Sequence, residues 1–402
     1  MYISIPMIIT IAVLLVFALI TPLFSPYFRG RKLVPLLQEA AASEAPEVPA
    51  AEPVSIVIVE HDSAFRLEKV LPQYLSQQYA ADYQVIVVID KNDSESEDVL
   101  KRHSDNPHLY YIMLPVTSRY LSRKKLGITL GMRAAKYDWV IVTDVHCAPS
   151  SDQWLSHFAT HCTPDNNMVL GMTPYEEGTS AYQRFEHLRT MLYHLRQAQK
   201  GMPFSTNQSL VALRKGEFFE QKGFSGNLEY IRAEFEFLVN KFAKEGSCAL
   251  AVEPESWLRQ YKPNYERWRM RHLFSIDAFK DLQRRRPFRF LFHLDLWAMH
   301  LTNILCLMVV ALGVCCYIHE TELIPSNDEY LMAWIVFSVA PQLLWIVSLV
   351  LRIYLYAPVL HAFGNVSSIG AVLMEWTLSW RNLMFRIRYW LADKNDFITH
   401  KL

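Results

Sequence analysis

Trp139-Val-Ile-Val-Thr-Asp144-Val-His146 is a run of apolar, mostly β-branched residues that ends in an acid and, two positions later, an imidazole. Continuous apolar character without alternation marks a strand buried on both faces rather than one half open to water. Val54-Ser-Ile-Val-Ile-Val59 and Gln84-Val-Ile-Val-Val-Ile-Asp90 have the same form, and Tyr110-Tyr-Ile-Met-Leu114 supplies one more strand. Between them, apolar residues recur at helical spacing from Phe65 to Gln78, from about Glu97 to His103, and from Leu121 to Lys136. This alternation predicts an α/β domain with a mostly parallel sheet flanked by helices, because parallel neighbours need crossover connections. No internal repeat is visible.

In open sheets of this kind ligands bind beyond the carboxyl ends of the strands. Taken singly, Asp90 and Asp144 read as turn or helix-capping residues. Ending two apolar strands of one sheet, they mark a binding rim. Asp144-Val-His146 adds two metal-ligand types at i and i+2 where a strand leaves the sheet. A carboxylate with an imidazole suits Mn²⁺ better than Mg²⁺, which prefers an all-oxygen shell.

Outside this core the composition changes. The 402 residues are 51% hydrophobic and 20% charged, more apolar than is usual for a soluble protein. The excess is concentrated in Ile3 to Phe24, Trp297 to Tyr317 and Leu331 to Leu351, which contain no Asp, Glu, Lys or Arg. Each reaches the roughly 20 residues a helix needs to span hydrocarbon. The first stretch has neither the basic segment nor the small-residue cleavage site of a signal peptide, so it reads as an uncleaved anchor. Arg29, Arg31 and Lys32 follow it, Arg284 to Arg286 and Arg289 precede the second span, and Arg352 follows the third. The positive-inside rule therefore places the central segment and the tail in the cytoplasm.

The expected organisation is an anchor over 1–27, a flexible linker over 28–53 and the α/β domain over 54–270. An interfacial segment over 271–295 leads to spans at 296–318 and 331–352 around a periplasmic loop, 319–330, and a cytoplasmic amphipathic tail covers 353–402. The six cysteines show no spacing of a disulfide framework or zinc cage, which fits a reducing compartment. A net charge of zero argues against a nucleic-acid partner.

An ordered set of motifs runs along the α/β domain. Val59-Glu60-His61-Asp62 follows the first strand and Asp90 ends the second. Ser122-Arg-Lys124-Lys125-Leu-Gly-Ile-Thr129 opens a helix, and Asp144-Val-His146-Cys-Ala-Pro149 leaves the fourth strand. Ser205-Thr-Asn207, Leu213-Arg-Lys215 and Lys222-Gly-Phe224 precede Arg232-Ala-Glu234-Phe-Glu236-Phe-Leu-Val-Asn240, and Asn264-Tyr-Glu-Arg267-Trp268 closes the series. From Val54 to about Trp268 the chain resembles the family 2 inverting glycosyltransferases of the GT-A fold, in their bacterial membrane-bound branch. His146 stands where the branch has Asp, the Glu-Phe-Glu segment where it has Asp-Asp, and Asn264 where it has Gln.

The resemblance implies a nucleotide-diphosphate sugar donor, with Glu60, Asp62 and Asp90 toward the nucleotide and Lys124 or Lys125 toward phosphate. It implies a divalent metal, Mn²⁺ before Mg²⁺, on Asp144 and His146. Glu236, slightly ahead of Glu234, would be the base that deprotonates the acceptor; on a helix the two point to different faces, so one of them faces the site. Arg267 would meet diphosphate and Trp268 an acceptor sugar, against the equal alternative that Trp257 to Met270 is an amphipathic helix lying on the membrane. Trp380 to Trp390, rich in Arg and Trp, reads as another membrane-surface helix.

These expectations describe a multi-pass protein of the bacterial inner membrane whose cytoplasmic domain acts on a lipid-linked or glycan acceptor beside membrane lipids. Two other readings remain: a non-catalytic scaffold in polysaccharide synthesis, and a processive synthase, for which two C-terminal spans are few.

Overall fold

The computed structural model describes residues 5–42, 51–115, 122–283, 285–323, 328–364, 366–393 and 397. It divides into two compact units, one of Met1–Arg31 with Arg286–Trp380, the other of Lys32–Arg285 with Arg381–Leu402.

In chain order the helices are α1 Ile5–Ile20, α2 Pro26–Gly30, α3 Val34–Ala42, α4 Ala64–Leu75, α5 Ser94–Arg102, α6 Arg123–Ala134 and α7 Trp154–Ala159. They continue as α8 Ala181–Gln199, α9 Lys215–Glu220, α10 Glu234–Phe242, α11 Tyr265–Ala278, α12 Arg285–Leu323, α13 Asp328–Ala362 and α14 Ser368–Leu391. The strands are β1 Val54–Val59, β2 Tyr83–Asp90, β3 Leu109–Leu114, β4 Trp139–Asp144 and β5 Cys147–Pro149, then β6 Met168–Leu170, β7 Leu210–Arg214, β8 Cys248–Leu250 and β9 Leu258–Gln260.

The second unit is built on a sheet of order β3-β2-β1-β4-β7-β6-β8. The first four of these strands run parallel, and β7 is antiparallel to both β4 and β6. All six residues of β1 are buried, as the unbroken apolar run requires. Val59 at its end lies opposite Val88 on one side and Asp144 on the other. This register brings the ends of β2 and β4 to the same rim, one on each side of β1. Beneath the sheet, Tyr74 of α4 and Trp154 and Phe158 of α7 pack against Ile56, Ile58 and Ile141.

Helix α6 lies unusually close to β1. A Cβ on Gly127 would stand 2.6 Å from a Val59 methyl, and one on Gly131 would stand 2.4 Å from a Val57 methyl. Two glycines one turn apart thus let the helix backbone settle onto the strand, and that approach sets the height of Lys124 at the rim.

Two expectations are corrected in this unit. Val34–Ala42, read as part of a tether, is helical; Leu-Leu-Gln-Glu-Ala-Ala-Ala is a run of strong helix formers, and Pro35 sits near the start, where a missing N–H costs nothing. The linker residues 43–50 lie outside the described residues. Trp257 to Met270 is not one amphipathic helix: β9 pairs antiparallel with β5, and α11 begins only at Tyr265, with the Asn264 side chain accepting from the Arg267 N–H at 2.7 Å.

In the first unit, three helices among the described residues are long and apolar enough to cross a membrane: Ile5–Phe24, Pro287–His319 and Met332–Ala362. Arg352, read as a basic flank of the third span, is 1% exposed. Its Nη1 donates to Glu375 at 2.9 Å and to the Tyr356 hydroxyl at 2.8 Å, and Ser25 donates to the other Glu375 oxygen at 3.2 Å. A charge among apolar helices persists only when paired in this way. Along α14, Ile369, Leu373, Trp380, Ile387 and Trp390 are exposed, while Val372, Glu375, Leu378 and Phe385 are buried. Large apolar side chains therefore occur among both its buried and its exposed residues, with Arg381, Arg386 and Arg388 exposed beside them.

Candidate active site

The rim begins where β1 ends. Glu60 is fully buried, and its carboxylate accepts from the Ser63 N–H and from the Ser96 hydroxyl at 2.9 Å. Burial pushes its carboxyl up to about 7, assisted by the Asp93 carboxylate beside it. Glu60, expected toward the nucleotide, thus spends both carboxylate oxygens on clamping the turn after β1 to α5. Asp62 is exposed, with φ of 50°.

Asp90 is held from both sides. One oxygen accepts from Arg123 Nε at 2.8 Å and from Nη2, and the other meets His61 Nδ1. Burial opposes its charge, but His61 and Arg123 outweigh it and hold the carboxyl below its usual range. His61 is raised in turn, chiefly by that hydrogen bond. The strand-end acid is fixed as a carboxylate with half-open neighbours.

The two lysines of α6, adjacent in sequence, go to different places. Ser122 caps the helix, its oxygen accepting from the Lys125 N–H at 3.2 Å, and this orients the first turn. Lys124 reaches Asp144. Lys125 is 1% exposed, and its ammonium donates to the Asn227 and Tyr230 carbonyls at 2.5 and 2.7 Å. Burial brings Lys125 down to about 8. Lys125 props the loop before α10, so of the two candidate phosphate ligands the geometry leaves Lys124.

Asp144 and His146 form the centre. One Asp144 oxygen takes Lys124 and the other accepts from the His146 N–H at 2.9 Å. Burial works against its charge, but Lys124 and His146 hold it well below the carboxylate range. Lys124 is kept charged against burial by Asp144 and then Glu234. His146 is pushed down to about 4 by burial, so it is neutral at pH 7. Its Nε2 accepts from Arg267 Nη1 at 2.5 Å, which places the ring proton on Nδ1.

The site offers one carboxylate oxygen and one neutral imidazole nitrogen, and among the described residues no third His, Cys, Asp or Glu joins them as a metal-holding group. That set fits a divalent cation whose remaining ligands come from a phosphate-bearing substrate and water.

On the other side of the centre, α10 opens at Ala233 in the left-handed region, φ 71°. Both Glu234 and Glu236 are buried, so α10 is covered on more than one face. Glu234 keeps one carboxylate oxygen without a hydrogen-bond partner and lies in the field of Lys124. Glu236 is raised by burial, with Arg271 acting against it.

Arg271 was not anticipated. It donates to the Asn207 carbonyl, and its field reaches Asp144, Glu236 and Tyr175. Its spacing of four from Arg267 on α11 was the available signal, but nothing local distinguished it from a surface arginine.

Trp268 does not offer a face to a sugar. It is 5% exposed and enclosed by Tyr182, Tyr265, His272 and Phe385, with ring centroids at 6.2, 5.8, 4.5 and 5.5 Å. Its role is to seat α11, which carries the exposed Arg267 to His146.

Residues 55–220 match the family model described as Glycosyl transferase family 2. No curated protein matches the chain. Among solved structures it is similar to the mannosyltransferase PcManGT from Pyrobaculum calidifontis in complex with GDP-Man and Mn²⁺, at 13% identity and TM-score 0.48, covering 83% of this chain and 99% of that one. It is also similar to S. aureus TarS 1-349, at 11% identity and TM-score 0.43, covering 82% and 92%.

Proposed function

We propose that the chain, whose residues 55–220 match the glycosyl transferase family 2 model, is a glycosyltransferase that moves a sugar, with inversion, from a nucleotide-diphosphate donor to a lipid-linked or glycan acceptor at the cytoplasmic face of a bacterial inner membrane. The observation that carries this reading is the junction of Asp144, His146 and Lys124 at the rim shared with Asp90.

Asp90, fixed as a carboxylate by His61 and Arg123, takes the base of the nucleotide. Asp144 and His146 would hold a divalent cation, Mn²⁺ before Mg²⁺, which when bound would neutralise charge growing on the diphosphate leaving group. Lys124 and Arg267 supply fixed positive charge to the same oxygens. Of the two glutamates, Glu234 is assigned as the base: its unpartnered oxygen accepts the proton of the acceptor hydroxyl as the hydroxyl oxygen bonds to the anomeric carbon and the bond to diphosphate breaks. The helices at Ile5–Phe24, Pro287–His319 and Met332–Ala362 anchor the enzyme, and the exposed apolar side of α14 lies against lipid.

The test is transfer or hydrolysis by the full-length protein with Mn²⁺ across a panel of nucleotide sugars, for wild type, Glu234→Gln and Glu236→Gln. Glu234→Gln should lower kcat by about 10²- to 10³-fold and Glu236→Gln by less; the reverse order would move the base to Glu236. No turnover of any donor by the wild type would leave the scaffold reading in its place.

A further inference from the structure

Both donor atoms of the Asp144–His146 pair that an ion would need are engaged by cations of the chain itself. Lys124 is on Asp144, and Arg267 Nη1 is 2.5 Å from His146 Nε2. The second Asp144 oxygen accepts from the His146 backbone N–H. A divalent cation arriving alone therefore has to displace two positive groups to gain two protein ligands, and those groups then stand beside a double charge. Repulsion at such separations is costly away from bulk water.

The same two side chains have another destination. Lys124 lies in the first turn of α6 and Arg267 in the first turn of α11. Helix N-termini disfavour cations and favour anions, with backbone N–H groups ready for phosphate. A diphosphate placed between the rim and these first turns would draw both side chains off Asp144 and His146. It would also supply the oxygens that complete a metal's shell.

On the donor-site reading above, we propose that Lys124 and Arg267 form an interlock that makes divalent-cation binding and nucleoside-diphosphate binding strongly cooperative, the ion settling on Asp144 and His146 as the two side chains transfer to diphosphate oxygens. Each ligand clears the way for the other. By linkage the coupling is reciprocal: whatever factor the diphosphate adds to cation affinity, the cation adds to diphosphate affinity.

The test is calorimetry on the full-length chain in detergent, titrating Mn²⁺ alone, UDP or GDP alone, and each in the presence of the other. In the wild type the diphosphate should tighten Mn²⁺ binding by at least about 30-fold, within the usual range of coupling between sites, and Mn²⁺ should tighten the diphosphate by the same factor. Lys124→Met and Arg267→Gln should each bind Mn²⁺ alone more tightly than wild type and show the coupling reduced to a few-fold. Lys124→Arg, which keeps the charge, should retain most of it.

Arg267 is exposed, so Arg267→Gln reports even where loss of Lys124 prevents folding. Equal Mn²⁺ affinity with and without diphosphate overturns the interlock, as does unchanged coupling in both charge-removing variants. Failure of UDP and GDP to bind under any condition brings down the donor-site reading and the interlock together. Diphosphate binding without coupling brings down the interlock alone.

Discussion

On the proposed function, the donor side of the site and the acceptor side are built in opposite ways. On the donor side, Asp90, Asp144 and His146 sit at the ends of parallel strands, and each is met by a cation, from Arg123, Lys124 or Arg267. On the acceptor side, the two glutamates begin a helix that follows a propped loop, and Glu234 and Asn227 each retain a buried oxygen without a hydrogen-bond partner among the described residues. Strand ends are positioned by the whole sheet, so charges there can be matched in advance. The acceptor side keeps unmatched oxygens, for which a second substrate would supply the partner.

The largest expected effect breaks the matched side. Asp144→Asn removes the charge that holds Lys124 and replaces one of two donor groups, and a fall in kcat/KM of about 10³-fold should follow. Steady-state rates with saturating Mn²⁺ would show it, and activity within tenfold of wild type would deny Asp144 the central role.

The next effect concerns stability. Glu60 in the folded chain keeps its proton up to about pH 7, whereas the unfolded chain releases it near the ordinary 4.5. The folded state therefore binds more protons in that window, and stability falls as pH rises from 4.5 through 7. The shift corresponds to about 3 kcal/mol at most. Glu60→Gln should flatten this slope in denaturation experiments run between pH 5 and 8. An equal slope in variant and wild type would place the titrating group elsewhere.

A third substitution asks whether the donor side depends on close packing. Gly131→Ala puts a methyl 2.4 Å from a Val57 methyl carbon, so α6 must lift or Val57 must turn. A loss of about 2 kcal/mol is expected from overpacking. Because Lys124 rides on the same helix, the KM for donor should rise with it. A stable variant with unchanged KM would show that α6 is seated by other contacts.

The contrast between the two sides also explains what could be read before the structure. The strands ending at Asp90 and Asp144 announce themselves because burial on both faces demands unbroken apolar runs, and a parallel register leaves strand ends at one rim. The division of labour between Lys124 and Lys125 could not be read in this way. Neighbouring residues on a helix diverge by about 100°, and which one meets the rim depends on how closely Gly127 and Gly131 let α6 approach. The same holds for Arg267 and Trp268: the motif marks both, and only the aromatic cage around Trp268 shows that one seats the helix while the other reaches the site. What Arg271 and Arg352 meet was not legible, since the contacts of an arginine are decided by distant partners such as Asn207 and Glu375.

The smallest effect tests the acceptor side. Ala233 holds φ at 71°, a conformation that costs a residue with a Cβ about 1 kcal/mol or more relative to glycine. Ala233→Gly removes that strain but widens the unfolded ensemble, which offsets part of the gain. The net result should be a rise in stability of about 0.5 kcal/mol, seen as a small increase in the denaturation midpoint. Function should move the other way. The alanine restricts the angle at which α10 starts and so holds Glu234 beside Lys124; freeing it should lower kcat a few-fold while leaving donor KM unchanged. A variant that lost donor affinity instead would mean that the left-handed turn serves the donor rim through Lys124, and the division between a matched side and an open one would have to be redrawn there.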